Sequence, residues 1–582
     1  MPRLSRYQPK HSARAREREH HRRLARMAQP VPGSRRRRLL LAVSALAAAG
    51  LAVTGVELIP GGVTRASSSP RAPAKAADAQ VVPSSPAKVA TLGAQLGFGA
   101  SSTAGWVAAE NAKAGTSAWR LTKPATSDQI QGYAGAVSAL PGESVDLYVS
   151  TTAPTFQVEA FRMGYYGGAL GDLVWSAGPL TGLKQQSCPV TTSTNMVSCS
   201  WTDPLSVPTA GWVPGDYLFK LTSSSGWETH IPLTVRDDSS RSAYLINNSV
   251  TTWQAYNLFG GYDLYSGPIG NGHAGVAGRS RIVSFDRPYA LGNGGGDFVG
   301  LELPMVAMTE SLGLDVSYTT DVDVAERPQT LLQHRAFLSL GHDEYWTLSM
   351  RNGATAARDA GVNLVFLGAN AAYRHIRLQS SSLGPDRQEV DYKDAHADPL
   401  LGKDNVDVTP WAWRDWPNNE PESLLLGEMW QCNPVRADMV ITASSQWLFD
   451  GAGLHNGDHI AGVVGPEYDN FDPYAPNPGN VAVVARSPVK CGGQREEADM
   501  TYYSAPSGAG VWDTGTIDWV GSVLPYCATC TNQGPVTKIT ANVLAAFGAG
   551  PAGAAHPSVA NVQRKGRAPT STTTIRVSGL GD

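Results

Sequence analysis

Three apolar runs in this chain end in the same way. AFLSLG (336–341) leads into His342 and Glu344, NLVFLG (363–368) into Asn370, and HIAGVVG (459–465) into Glu467. Each run is too short for a core helix and too uniformly apolar for a strand with one wet face, so each reads as a strand covered on both sides. Similar runs occur in SAYLINN, RSRIVSF and GLDVSYTTD, with helix-like segments such as DFVGLELPMVAMTESLG and TLSMRNGATAARDAG between them. This alternation predicts an open, mostly parallel α/β sheet over residues 238–550, closed by a helix near 537–548 and followed by a disordered tail at 551–582. In such sheets, sites form beyond the carboxyl ends of the strands. His342, Glu344, Asn370 and Glu467 are therefore expected along one rim. Each also has an ordinary structural reading: Asp343 or Glu344, for instance, could cap the helix that follows.

Residues 93–237 follow a different pattern. SVDLYVSTT, TFQVEAFRMG, GDYLFKLTSSSG and THIPLTVRD are short alternating strands between turn signals, which predicts an antiparallel β-sandwich. The expected fold class is therefore multidomain, a β-sandwich followed by an α/β domain, and the sandwich shows no motif of its own chemistry. Residues 57–92, rich in Pro, Ala and Ser, read as a spacer. Before them, Leu39–Val56 is eighteen residues without a charge, at the lower edge of what spans a bilayer as a helix. Residues 1–38 carry 13 Arg and Lys against two Glu in a chain of net charge -3. A basic leader directly before an apolar segment reads as the cytoplasmic flank of an export segment rather than as a nucleic-acid arm. TRA (64–66) and APA (72–74) would suit a signal peptidase, and SRRRRLLLAV looks like a twin-arginine signal. The segment is then either a membrane anchor or a cleaved signal, with the remainder exported in both cases. All six cysteines follow it, at 188, 199, 432, 491, 527 and 530, which suits an oxidising compartment. Cys188 with Cys199 and Cys432 with Cys491 are the expected pairs. CATC (527–530) reads as a small structural bridge rather than a redox or zinc site.

TTWQAYN, SFDRPY, GLDVSYTTDVD, SLGHDEYW, VNLVFLGAN and VVGPEYD, in that order, resemble the C-terminal catalytic domain of the N,N-dimethylformamidase large-subunit family over roughly residues 240–500. The resemblance implies a sheet similar to the class I glutamine amidotransferase fold, without its cysteine nucleophile. It also implies a mononuclear Fe(III) site held by two tyrosines and one glutamate. Carried onto this sequence, Glu344 is the glutamate ligand, His342 the histidine that backs it, and Asn370 and Glu467 the other polar residues of the pocket. For the tyrosines, Tyr256 is the first choice and Tyr289 the second, with Tyr262 and Tyr265 as rivals. Two phenolates and a carboxylate form a hard anionic set that suits ferric iron better than zinc or calcium. The implied reaction is hydrolysis of a small linear amide. Glu467 would be the general base and proton carrier, and His342 and Asn370 would orient the substrate and stabilise the oxyanion. The characterised activity of the family belongs to an intracellular enzyme with a small partner subunit. This chain carries export features and a sandwich of its own, so its substrate and partner stay open.

A reading of another class is a non-catalytic surface protein that binds glycan or peptide by stacking on Trp411, Trp413 and Trp416 in WAWRDW. Thiol-dependent amidotransfer is disfavoured, since the rim has no Cys and Ser339 lies inside its strand.

Overall fold

A computed structural model of the chain describes residues 96–270, 272–523 and 534–563. The basic leader, the apolar segment, the spacer, CATC and residues 564–582 lie outside the described residues.

The first half forms two sheets over one core. Ile130–Ala134, Ser144–Thr151 and Leu205–Pro208 make a three-stranded antiparallel sheet. Ser138–Ala139, Glu228–Val235, Gly215–Ser223, Thr155–Met163 and Gly171–Thr181 make a five-stranded one. Val145, Leu147, Val158, Phe219, Leu221 and Ile231 point between them and are almost fully buried. The alternation in SVDLYVST produces this directly, since every second side chain of a strand faces the same way. Cys188 and Cys199 are disulfide-bonded across eleven residues.

In the second half, Val316–Thr320, Tyr244–Asn248, Ala336–Gly341, Asn363–Gly368, Gly510–Asp513, Gln494–Ser504 and Ala482–Cys491 form a seven-stranded mixed sheet in that order. Pairing is parallel as far as Gly510–Asp513 and antiparallel across the last two strands. The expected fold class is nonetheless corrected. Over the described residues the chain is β-rich, built from several small antiparallel and mixed sheets, and most of its helices are short. Residues 374–504 are spent largely on hairpins and two-stranded ribbons instead of crossover helices. An open, mostly parallel α/β domain like the class I glutamine amidotransferase fold does not describe this arrangement. A doubly buried apolar run reports burial but not the direction of its neighbour. Thus His459–Val464 pairs antiparallel with Ala437–Val440 in a separate two-stranded sheet and is no member of the large one.

Two glycines set the end of the large sheet. Gly341 pairs with Gly368. A Cβ on Gly368 would lie 1.9 Å from the Gly341 carbonyl oxygen, so only glycine lets the two strands close there. Gly341 itself has φ +60, and a Cβ on it would meet the Leu301 carbonyl oxygen at 2.5 Å. The backbone turns at this point and sends residues 342–344 off the sheet. The expected tail is also corrected in part. Ala552–Ala555 is helical, the Tyr502 hydroxyl donates to the His556 carbonyl, and Asn561 bonds Val483, so the chain to 563 packs on the sheet.

The two halves share a core. Phe161, Met163 and Leu218 of the five-stranded sheet pack in one cluster with Met305, Met308 and Leu314. Within that seam the fully buried Arg162 pairs with Glu310 at 2.5 Å. Glu310 also accepts from the Tyr318 hydroxyl at 2.6 Å and the Asn111 amide at 2.9 Å.

Candidate active site

Glu344 stands just past the glycine turn, 1% exposed. Its backbone N–H donates to Thr252 Oγ1 at 2.9 Å, and its carbonyl accepts from the N–H groups of Tyr373 and Arg374, so both flanking elements fix it. The carboxylate is then shared between two phenols. Tyr256, the last residue of the helix Val250–Tyr256, donates to Oε2 at 2.7 Å, and Tyr265 donates to Oε1 at 2.6 Å. The two rings stack with centroids 4.7 Å apart. Arg374 adds a third donor, Nε to Oε1 at 3.0 Å.

The second carboxylate is Glu467. Its Oε2 accepts from the Asn370 amide at 3.0 Å and the Trp430 indole at 2.6 Å, and Oε1 accepts from the Asn433 amide at 2.9 Å. His342 stands between the two acids, with Nε2 3.5 Å from Glu344 Oε2, 4.0 Å from Glu467 Oε1 and 3.4 Å from Asn370 Nδ2. Asn370 is held by its backbone N–H, which donates to Asp469 at 2.9 Å. Its own Oδ1 is buried and has no partner, an acceptor left for a group that is not protein.

The structure therefore brings His342, Glu344, Asn370, Glu467 and Tyr256 together, although Glu467 arrives from outside the large sheet. It does not bring Tyr289, which packs at the seam beside Phe285, Phe298 and Arg387. The second phenol on Glu344 is Tyr265, so Tyr289 is corrected as a ligand choice. Tyr262 is not on Glu344 either; its carbonyl accepts from Arg287. Asp343 caps no helix. It accepts from Ser339 at 2.7 Å and from the Trp346 indole at 2.7 Å, while Thr347 caps the helix Leu348–Asp359. The WAWRDW rings make no common platform: Trp413 is buried against His375, Trp411 lies on Arg374, and Trp416 is the exposed one. Arg374, Trp430, Asn433 and Lys393 had no signal in the sequence, because each reaches the site from a distant hairpin or loop.

The surroundings drive the two acids apart. Burial would raise Glu344, but Arg374, His342 and Lys393 outweigh it and hold the carboxyl below its ordinary value. Glu467 is raised by burial, reinforced by the charge of Glu344 and only partly offset by His342 and then by the Asn433 and Trp430 donors. One acid stays ionised and the other is poised to carry a proton, the division of labour that acid–base sites use. Tyr256 and Tyr265 are pushed well above the usual phenol range by burial, with Glu344 adding to it, so as they stand they are neutral donors. Lys393, buried over the Tyr265 ring at 3.4 Å, is driven down to about 7, by burial first and then by Arg374.

As a metal pocket, this set fits a hard cation. The two oxygens of one carboxylate and two phenol oxygens converge among buried residues, and a highly charged ion would displace the two phenol protons. Among the described residues no group of three or more His, Cys, Asp or Glu side chains is arranged to hold a metal; the convergent set here is one carboxylate and two phenols.

Fold and site together define a β-rich protein with a buried, oxygen-rich cluster of side chains at the end of a mixed sheet. The chain belongs to the N,N-dimethylformamidase beta subunit-like family, whose C-terminal region matches residues 157–532, well over half of it. No curated protein matches the chain. Among solved structures, a Paenibacillus sp. cycloisomaltooligosaccharide glucanotransferase complexed with cycloisomaltoheptaose aligns over 66% of this chain and 68% of its own, at 8% identity and a TM-score of 0.15. A likeness that weak carries no argument.

Proposed function

We propose that this protein is an exported, metal-dependent amide hydrolase that acts on a small linear amide. The observation that carries the reading is the engagement of both Glu344 oxygens by two buried phenols. Tyr256, Tyr265 and Glu344 would hold a ferric ion, which supplies Lewis acidity toward the amide carbonyl and lowers the pKa of a bound water. The rest is done by side chains. Glu467, kept partly protonatable by burial, takes a proton from the attacking water and returns it to the leaving nitrogen, giving a carboxylic acid and an amine. His342 and the Asn370 amide face the space between the two carboxylates and donate to the oxygen that gains charge. Arg374 keeps Glu344 ionised and oriented.

Export rests on the basic leader and apolar segment of residues 1–56, which also propose a catalytic region on the outer side of the membrane, tethered or released. The test is turnover of formamide and N,N-dialkylformamides by the full chain together with its Glu467→Gln and Glu344→Ala variants. Glu467→Gln should stop turnover and keep the metal, whereas Glu344→Ala should lose both. Wild-type turnover in Glu467→Gln would remove Glu467 as the base.

A further inference from the structure

Glu467 is held by three N–H donors of two origins. Asn370 comes from the end of a central strand of the large sheet, whereas Trp430 and Asn433 come from the strand Met429–Cys432 and the residue after it. That strand pairs only with Tyr468–Asn470, over three positions, with a register shift between Trp430 and Cys432. A ribbon of this size is not self-supporting in water. Arg414 donates to the Trp430 carbonyl at 3.0 Å and the Trp430 ring packs on Tyr373, while the Asn433 end of the ribbon carries a covalent tie. Cys432, adjacent to Asn433, is bonded to Cys491, the last residue of Ala482–Cys491, which pairs along its length with Gln494–Ser504 in the seven-stranded sheet. Cys491 Sγ also lies 3.5 Å from the Asn433 carbonyl oxygen, so the bridge sits directly against the residue that presents the amide.

We infer that Trp430 and Asn433 are positioning residues for Glu467, and that the Cys432–Cys491 disulfide is the clamp that keeps both donors on its carboxylate. This rests on the proposed role of Glu467 for its kinetic consequence, but not for its structural one. With the clamp open the Asn433 end of the ribbon loses its tie to the large sheet, the Asn433 and Trp430 donors loosen on Glu467, and its carboxylate loses N–H groups that favour the ionised form. The Cys188–Cys199 bridge has no contact with the site and provides the control.

The structural readout is the indole N–H resonance of Trp430 in nitrogen-15 tryptophan-labelled full chain, assigned by Trp430→Phe. A 2.6 Å bond to a buried carboxylate should place it downfield and protect it from solvent exchange. In Cys432→Ala/Cys491→Ala the resonance should move upfield and its protection fall at least tenfold, with no change in Cys188→Ala/Cys199→Ala. If the resonance and its protection survive the loss of the bridge in folded protein, the inference is overturned. Should the double variant not fold, the folded wild type reduced by a phosphine gives the same reading. The kinetic readout is the acidic limb of the kcat profile, which should shift to higher pH in the clamp variant and in Asn433→Ala, with KM changed less than kcat. A wild type without amide turnover would refute the proposed function, while the indole signal would still decide the clamp.

Discussion

Replacing Arg374 by Met tests how the site keeps Glu344 charged. The pair is 3.0 Å apart and both side chains are 1% exposed, so the substitution takes from a buried carboxylate the largest of the charges that offset its burial. Removing one partner of such a pair costs about 3–5 kcal/mol. Arg374 also donates to the Tyr265 hydroxyl at 3.3 Å and lies 4.3 Å over the Trp411 ring, contacts that Met replaces only by packing. The sign of the pH dependence follows from Glu344. In the wild type its folded pKa lies below the unfolded one, so its contribution is present above the unfolded pKa and is lost as pH falls through the folded value. In the variant only His342, Lys393 and the phenol donors oppose burial, so the folded pKa moves up toward or past the unfolded one. Glu344 then loses the stability it supplies to the wild type above the unfolded pKa, while in acid, where it is protonated in both, the two proteins converge. The penalty should therefore be largest near neutrality and shrink toward about pH 4, near the ordinary carboxylate pKa. Urea unfolding of chelator-treated full chain at both pH values measures it. A penalty under about 1 kcal/mol at neutrality, or one that does not shrink in acid, would refute the reasoning.

Tyr265→Phe should weaken iron binding at least tenfold and cut turnover with it, while Tyr289→Phe, which touches nothing on Glu344, should leave iron content unchanged; metal titration of both variants distinguishes them. Arg162→Met should cost about 3–5 kcal/mol in urea unfolding, and adding Glu310→Gln should recover a large part, because the second change removes the charge that the first leaves unpaired. Asp216, buried and raised to about 7, chiefly by burial, favours folding below its unfolded pKa and loses that contribution as pH rises through 7. Asp216→Asn should accordingly raise the thermal midpoint at pH 8 and change it little at pH 5; a lower midpoint at pH 8 would contradict this.

How far the sequence reaches can be seen residue by residue. The glycine-closed runs 336–341 and 363–368 lie side by side, so His342, Glu344 and Asn370 fall together for the reason their pattern suggests: a doubly covered strand must end in a turn, and polar groups collect where it does. Glu467 reaches the same place by another route, through a two-stranded ribbon that the same kind of apolar run does not distinguish from a member of the large sheet. The parallel α/β expectation fails for a related reason. Burial is written in the composition of a strand, but the direction of its partner is not. Both described disulfides pair as their spacing suggests. Tyr265 and Tyr289 are indistinguishable as isolated phenols; what separates them is the turn at Asp263, whose carboxylate accepts the Tyr265 N–H at 2.7 Å and fixes the backbone that aims the ring. Arg374, Trp430 and Asn433 lie 30 to 37 residues from the acids they serve, on separate hairpins or ribbons, and contacts of that kind leave no local trace.

The most direct test of the ligand assignment is iron content and visible absorption of the purified full chain. Tyr256, Tyr265 and Glu344 predict about one ferric ion per chain and a tyrosinate-to-iron absorption band that disappears in Glu344→Ala. Colourless protein without iron, even after reconstitution with a ferric salt, would contradict it.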